Sequence, residues 1–581
     1  MLKAIVWENF VHFKDKNVIS FNTCLNETTP QGAGSKTGTE SKDTDAMIFN
    51  DLNIFVGANF CGKSTVLELI RRCMTDEINV SETKPFNAKE VAYAFCQFNL
   101  DSYGFVISGI IKESCNGAEY KVFIYKDRNG TFLRSKASDN SFTFNGLVHA
   151  AQDKIEINAL LNTPANANIP NLLRLIKENK QRNRIVGWAC RLFTAIKSRI
   201  LTKNNGPSWK TIEEKYIATF PLRGIGSVQW TKSRKLGKKH KASNYKIACE
   251  RAEVISTLLS EKHKHHIDEE NEKQIFRYIT YPEVFTFKED KGVIVVQHDS
   301  GSDVPLLKIS EGIIEAKVTS LLLAHKDIQT LCLEEPDRGM HPQMIERLKK
   351  ELYKAACSKT IIVVTHSPYL IDTITVNKTH VFVRELDETT DSYVCSVKNV
   401  GENKDLKQVS NIEIRRTLLF ATKVLIVEGP TDREVVQGIF TQITLNILKD
   451  VKKRNYWSEN DLSAYQIISM NGCDNTESIQ AFCDFINLPW LCLWDLDKVV
   501  VYDKKTQMIT SFNSKLVDGE DLKDLNKDYS NKSVDTFYES IEDFKKISQR
   551  NTFIWKYGTL EDAILKSAAG SEETFFSQRY E

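Results

Sequence analysis

Three stretches of the 581-residue chain carry residue types and spacings that suit phosphate and metal chemistry. The first is Gly57-Ala58-Asn59-Phe60-Cys61-Gly62-Lys63-Ser64, which follows the apolar run Leu52–Val56 and precedes the amphipathic TVLELI. Glycines at both ends of such a loop let the backbone curl, so that its N–H groups face one anion at a helix start that itself favours negative charge. Lys63 would reach the β and γ phosphates and the Ser64 hydroxyl would hold Mg²⁺, with Asn59 and Thr65 as further candidate ATP contacts. In the second, QTLCLEEPDRGMHP (329–342), an apolar strand ends in Glu334-Glu335-Pro336. Glu334 could hold Mg²⁺ and Glu335 could orient an attacking water. Nearby, TIIVVTHSP (360–368) ends a buried-type strand at His366, a candidate γ-phosphate contact.

The third stretch is VLIVEGPTDREVV (424–436), joined further on by PWLCLWDLD (489–497). Glu428 closes an apolar run. Thr431 with Glu434 fits a helix capping box, and Asp432 suits a first helical turn, so these three have an ordinary structural use. Glu428 has none. Asp495 and Asp497, two apart on an extended strand, would point to one side. Clustered carboxylates repel unless a cation lies among them, and hard oxygen ligands suit Mg²⁺ or Mn²⁺.

These residues need elements to hold them. Alternation predicts strands near Lys3–Trp7 and Val18–Phe21, and antiparallel strands over 91–133. QGAGSKTGTESKDTD (31–45) is too polar to bury a core and reads as a mobile loop. Residues 151–280 turn to helical periodicity and mixed charge, as an insertion that splits one domain into halves at 1–150 and 281–405. A second α/β unit is expected over 412–581. Net charge is only +2, so nucleic-acid binding would need a local patch. Lys232–Lys246, KSRKLGKKHKASNYK, contains no acid and is such a patch, although a basic run is also an ordinary solvated loop. Trp230 before it could stack on a base or lie in a core. Lys262–His266, KHKHH, lacks metal-site spacing. Thirteen cysteines without a CxxC pair argue against a zinc ribbon or a secreted disulfide scaffold. With neither a secretory leader nor a membrane-length apolar run, the chain reads as cytoplasmic or nuclear.

The order of P-loop, Ser310-Glu311-Gly312, Glu334-Glu335 and His366 resembles the ABC-type ATPase heads of SMC, RecF and OLD proteins. A Glu-bearing strand end followed by an Asp-x-Asp strand end resembles the TOPRIM domain. An ATPase head followed by TOPRIM is the layout of the OLD (overcoming lysogenisation defect) family, and the Gabija nuclease subunits share it. The resemblance is strongest at 52–70, 305–370, 415–436 and 490–497. It implies an α/β fold: an ABC-type P-loop ATPase domain with a helical insertion, followed by a Rossmann-like parallel TOPRIM domain.

The resemblance further implies ATP held between two head-to-head subunits, with Ser310 and Gly312 of one closing the site of the other. Glu335 and His366 then act in hydrolysis. Glu428, Asp432, Asp495 and Asp497 become metal ligands, with Glu428 and Asp495 catalytic. Near the C-terminus, WKYGTLEDAIL (555–565) resembles a late family segment that would add Glu561 to the metal set and Lys556 to the scissile phosphate. The implied function is an ATP-regulated, metal-dependent endonuclease acting on DNA first, in antiviral defence or repair, as a homo-oligomer with an accessory helicase-like protein. The rival reading is an SMC/RecF-like ATPase that senses DNA through an inert TOPRIM unit. Two departures stand out: Phe60 occupies a position where many relatives carry glycine, and the Q-loop glutamine has only Gln97 as a candidate.

Overall fold

The computed structural model describes residues 2–21, 51–74, 85–87, 92–100, 104–112, 119–126, 132–134, 209–219, 255, 258–259, 264–290, 293–299, 301, 303–305, 309–387, 391–409, 411–449, 465–470, 476–503, 505–513, 519–539, 552–555 and 560. Two compact units divide the chain, Met1–Glu402 and Asn403–Glu581.

The strands of the first unit are β1 (Leu2–Glu8), β2 (Asn17–Ser20), β3 (Leu52–Gly57), β4 (Ala92–Leu100), β5 (Gly104–Lys112), β6 (Glu119–Lys126), β7 (Phe132–Arg134), β8 (Tyr216–Thr219), β9 (Phe285–Asp290), β10 (Val293–His298), β11 (Asp303–Pro305), β12 (Thr330–Glu334), β13 (Thr360–Val364), β14 (Thr379–Asp387) and β15 (Ser392–Asn399). One sheet, ordered β2-β1-β4-β5-β6-β7, is antiparallel throughout, as the alternation over 91–133 predicts. A second, ordered β15-β14-β3-β13-β12-β8, is parallel except for its β14–β15 pair. A small antiparallel sheet, β11-β10-β9, completes the unit.

β3, β12 and β13 read as almost continuous apolar runs because a parallel sheet is covered on both faces. Their residues are buried accordingly. The helix Lys63–Met74 lays Val66, Leu67, Ile70 and Cys73 into a core shared with Trp7, Phe10, Phe13, Phe55 and Phe98. At roughly 1.5–3 kcal/mol for each large apolar side chain, this core fixes the loop that precedes the helix. β13 pairs with both β3 and β12, so the carboxyl ends of the three strands open on the same edge of the sheet. That edge is where ligands bind in open parallel sheets.

One strand departs from expectation. β8 lies inside the stretch read as a helical insertion, yet it forms the edge of the parallel sheet, in register with β12. Its residues Tyr216–Thr219 are all buried, which explains the sequence YIAT. The polar loop at 31–45 lies outside the described residues.

In the second unit, β16 (Lys423–Val427), β17 (Tyr465–Ser469), β18 (Trp490–Trp494) and β21 (Thr552–Ile554) form a parallel sheet ordered β17-β16-β18-β21. β19 (Val500–Asp503) and β20 (Met508–Phe512) make a separate antiparallel pair. Leu425, Val427, Ile467, Leu493 and Trp555 bury one side of the four-stranded sheet with Val436 of the helix Pro430–Lys449. Among the described residues, no helix is long and apolar enough to cross a membrane.

Candidate functional site

At the edge of the first unit's parallel sheet, β3 runs into the glycine loop. Gly57 and Gly62 adopt φ of +139° and +92°. A Cβ on Gly57 would meet the Phe382 carbonyl oxygen at 2.4 Å, and one on Gly62 would meet the Phe13 ring at 2.5 Å. Phe60 also sits at positive φ, 61°, and is 80% exposed. This conformation suits glycine best. Lys63 is buried, and its ammonium donates to the Gly57 and Ala58 carbonyls at 2.7 and 2.8 Å. Those loop carbonyls hold the charge that a phosphate would otherwise take. Asn59 is exposed at the loop tip, while Thr65 is half-buried in the helix.

The two groups expected to share Mg²⁺ are in contact: the Ser64 hydroxyl donates to Glu334 Oε1. Glu335 follows at φ +52°, its N–H donating to the Val364 carbonyl at 2.7 Å. For a residue with a Cβ this backbone conformation costs about 1–2 kcal/mol, and it turns the chain sharply after β12. His366 follows two residues after the end of β13, beside them. Burial lowers its pKa below the usual histidine value; repulsion from Lys63 adds to this and the Glu335 carboxylate opposes it. Lys63, Glu335 and His366 are therefore near enough to feel one another, around the mouth of the loop.

Asp337 was not singled out by its sequence position, yet it joins these strand ends. It is buried and accepts from the Thr365 hydroxyl at 3.0 Å, while Thr365 Oγ1 accepts the Ser367 N–H at 2.9 Å. Burial raises the Asp337 pKa above the ordinary aspartate value. On its other side the Glu335–His341 turn packs on the Ser310-Glu311-Gly312 segment. Arg338 pairs with Glu311 at 2.9 Å, and a Cβ on Gly312 would strike the Gly339 carbonyl at 2.5 Å. Ser310 caps the helix Glu311–Leu323 by position only; it makes no side-chain capping bond and is exposed. Gln97 lies buried in β4 opposite Ala4 and Ile107.

In the second unit, Glu428 and Asp495 follow neighbouring parallel strands, with Val427 in register with Leu493. The strand reading of Trp-Asp-Leu-Asp is corrected here. β18 stops at Trp494, Asp495 is an N-cap, and Leu496–Val499 form one helical turn. Leu496 and Val499 are drawn into a core with Val500, Ile509 and Phe512, which bends the chain after Asp495. Asp495 and Asp497 thus share a helix start rather than a strand face. The turn also carries Lys498 round, three residues after Asp495, to pair with Glu428 Oε1 at 2.9 Å.

The helix start at 430 is corrected as well. Pro430 takes the first helical position, favoured there because no N–H is needed. The Asp432 carboxylate reaches back to accept the Gly429 N–H at 2.8 Å. Asp432 therefore fills the capping role assigned by sequence to Thr431 and Glu434, and Glu434 is exposed.

Two buried oxygens of this group, Glu428 Oε2 and Asp495 Oδ1, make no hydrogen bond. Desolvation raises the Asp495 pKa from 3.8 to about 7, with further upward push from Glu428, Asp432 and Asp497; a hydrogen bond from the Leu560 backbone opposes it. Asp495 lies within electrostatic range of three other carboxylates, and two of these four residues hold an unmatched buried oxygen, a donor chemistry that suits a divalent cation. Among the described residues no three such groups are already closed around a common point as a metal polyhedron. Lys498 on Glu428 and the Gly429 N–H on Asp432 take up oxygens that such a polyhedron would use. Lys556, Glu561, Trp230 and the basic run 232–246 lie outside the described residues. His266 pairs with Asp327 at 2.6 Å and stacks on His325, a packed arrangement rather than a metal site.

Residues 224–372 match the family model described as AAA domain, putative AbiEii toxin, Type IV TA system. Residues 419–497 match the model described as overcoming lysogenization defect protein-like, TOPRIM domain. The OLD nuclease of Thermus scotoductus is 24% identical over 217 residues, which cover 34% of this chain. The match spans 37% of that relative, little more than a third of its length. Among solved structures, the SMC head domain from Thermotoga maritima aligns with 69% of this chain and 98% of its own, at 12% identity and a TM-score of 0.32. A Pyrococcus furiosus Smc head domain bound to the C-terminal domain of ScpA aligns with 71% of this chain and 99% of its own, at 12% identity and a TM-score of 0.34.

Proposed function

We propose that this chain, an OLD-like protein pairing an AAA-type ATPase domain with a TOPRIM domain, is an ATP-hydrolysing, metal-dependent endonuclease. The observation that carries the reading is the pair of buried, unpartnered carboxylate oxygens on Glu428 and Asp495, at the carboxyl ends of adjacent parallel strands. A bound divalent cation, Mg²⁺ or Mn²⁺, would supply Lewis-acid stabilisation of the phosphodiester and a more acidic water. Glu428, Asp495, Asp497 and the remaining oxygen of Asp432 are the residues that would hold it, with Glu561 as a further candidate. Asp495, with its raised pKa, can carry a proton near neutral pH until the cation takes its place. Lys556 is assigned to the scissile phosphate.

In the ATPase domain, the loop from Gly57 to Ser64 with Asn59 and Thr65 cradles the ATP phosphates. Ser64 and Glu334 hold its Mg²⁺, Glu335 orients the water, and a neutral His366 faces the γ-phosphate. The exposed Ser310, at the start of a long helix, supports closure of this site by a second subunit in a head-to-head homodimer. Nucleic acid, DNA first, is the proposed substrate, with the basic run 232–246 as a sequence-nonspecific phosphate contact. An accessory helicase-like protein and a role in antiviral defence or repair complete the reading.

The test is cleavage of supercoiled plasmid and of RNA by purified full chain in Mg²⁺ or Mn²⁺, with and without ATP. The wild type should cleave, and Glu428→Ala and Asp495→Ala should lose about 10²-fold or more. Undiminished cleavage by both variants would sink the metal-site assignment, and no cleavage by the wild type under any of these conditions would leave an ATPase with an inert TOPRIM unit.

A further inference from the structure

The carboxylate cluster of the second unit already contains a cation of its own. Lys498 Nζ stands 2.9 Å from Glu428 Oε1, with both side chains more than half buried. Nothing in a generic strand-turn-helix requires a lysine here. It arrives because the helical turn Leu496–Val499 places its third residue back over the N-cap Asp495, whose carbonyl accepts the Lys498 N–H at 3.2 Å. The same turn is pinned by Leu496 and Val499 in the core, so the base of the lysine stem is fixed above a flexible four-carbon chain.

The ion pair is lopsided. Lys498 serves one oxygen of Glu428 and leaves Oε2 buried without a partner, while Asp495 Oδ1 nearby is also unmatched. One ammonium therefore does not satisfy the cluster. It holds Glu428 in place against repulsion from Asp495, and it opposes a second cation in two ways: by occupying a ligand oxygen and by its own charge. Like charges held close together in a half-buried site repel far more strongly than they do in water. An incoming divalent cation is thus favoured by ejection of the lysine from Glu428.

Resting on the reading of this cluster as a divalent-metal nuclease site, we propose that Lys498 is a displaceable cation. It holds Glu428 before metal binds, and once freed it turns its ammonium to the nucleic-acid phosphate. The consequence is an unusual sign pattern. Removing the ammonium should strengthen metal binding, because the competitor is gone, yet weaken cleavage, because the freed charge is no longer there to meet the phosphate. A lysine that merely props up the fold would weaken both.

The experiment titrates Mn²⁺ into nucleotide-free full chain and follows free Mn²⁺ by electron paramagnetic resonance, alongside plasmid cleavage at saturating Mn²⁺. Lys498→Met keeps the apolar stem and should bind Mn²⁺ at least fivefold tighter while cleaving at least tenfold more slowly. Lys498→Arg keeps the charge and should retain most of the cleavage. Backbone amide exchange at β16 and β18 checks that Lys498→Met still folds. Mn²⁺ binding that is unchanged or weaker in a folded Lys498→Met overturns the proposal, as does full cleavage by that variant. Glu428→Ala separates the two layers of the argument. If it binds Mn²⁺ as wild type does, the metal-site reading fails and the role of Lys498 with it. If it loses Mn²⁺ while Lys498→Met gains none, the metal site stands and only the displaceable lysine is refuted.

Discussion

Asp495→Asn should change how the stability of the second unit depends on pH. In the metal-free fold the Asp495 pKa is raised from 3.8 to about 7, chiefly by desolvation and then by Glu428, Asp432 and Asp497. Below about pH 4 both folded and unfolded chains hold the proton. Between about 4 and 7 the unfolded chain has released it while the folded chain keeps it, so stability falls as pH rises through that window and levels off above it. Three pKa units correspond to about 4 kcal/mol as a ceiling. Asp495 is only half-buried, so solvent screening brings the expected loss down to roughly 1–2 kcal/mol. Asparagine cannot ionise, and its amide can donate to a neighbouring carboxylate, so Asp495→Asn should flatten the slope. The assay is native-state amide exchange of β16 and β18 in chelator at pH 5 and pH 8, corrected for intrinsic exchange rates. Wild type should lose about two-thirds of that increment between these two pH values, and Asp495→Asn less than half as much. An unchanged slope in the variant would refute the claim that Asp495 is the group whose raised pKa sets this dependence.

Glu335→Gln should bind ATP normally and slow its hydrolysis by about 10²-fold or more, since the water loses its acceptor but Ser64 and Glu334 remain in contact. Single-turnover hydrolysis checks this, and undiminished turnover would remove Glu335 from its role. Gly62→Ala should abolish nucleotide binding without unfolding the core, because its Cβ would sit 2.5 Å from the Phe13 ring at a φ of +92°. Equilibrium binding of a fluorescent ATP analogue reads the loss directly; wild-type affinity would show that the loop tolerates a side chain.

The conformation of the glycine loop was legible in the sequence because each level agreed. An apolar run gave β3, two glycines matched two positive-φ positions, and the helix that follows is amphipathic. Glu334, Glu335 and His366 were legible for a similar reason, as polar residues that end runs long enough to be buried strands. The second unit's acids stand out in the sequence, but their local geometry does not. Asp-Leu-Asp alternates as a strand does, and a helical turn of four residues is too short to show a 3.6-residue period. Lys498 was invisible for that reason: its partnership with Glu428 depends on the turn and not on spacing within a strand. The capping role moved from Thr431 and Glu434 to Asp432 because Pro430 starts the helix two residues earlier than the capping box implies. Asp337 escaped because its contact with Thr365 spans 28 residues and bears no local pattern. β8 escaped because four buried residues inside a charged, helical-looking stretch carry too little alternation to register.

The central claim is that Glu428 and Asp495 hold a divalent cation. An anomalous difference map from crystals of the full chain grown with Mn²⁺ tests it most directly. The account predicts a peak about 2.0–2.4 Å from oxygens of both Glu428 and Asp495, at ordinary oxygen-ligand distances for such an ion. A map with Mn²⁺ bound at Ser64 and Glu334 but no peak at Glu428 and Asp495 would contradict it.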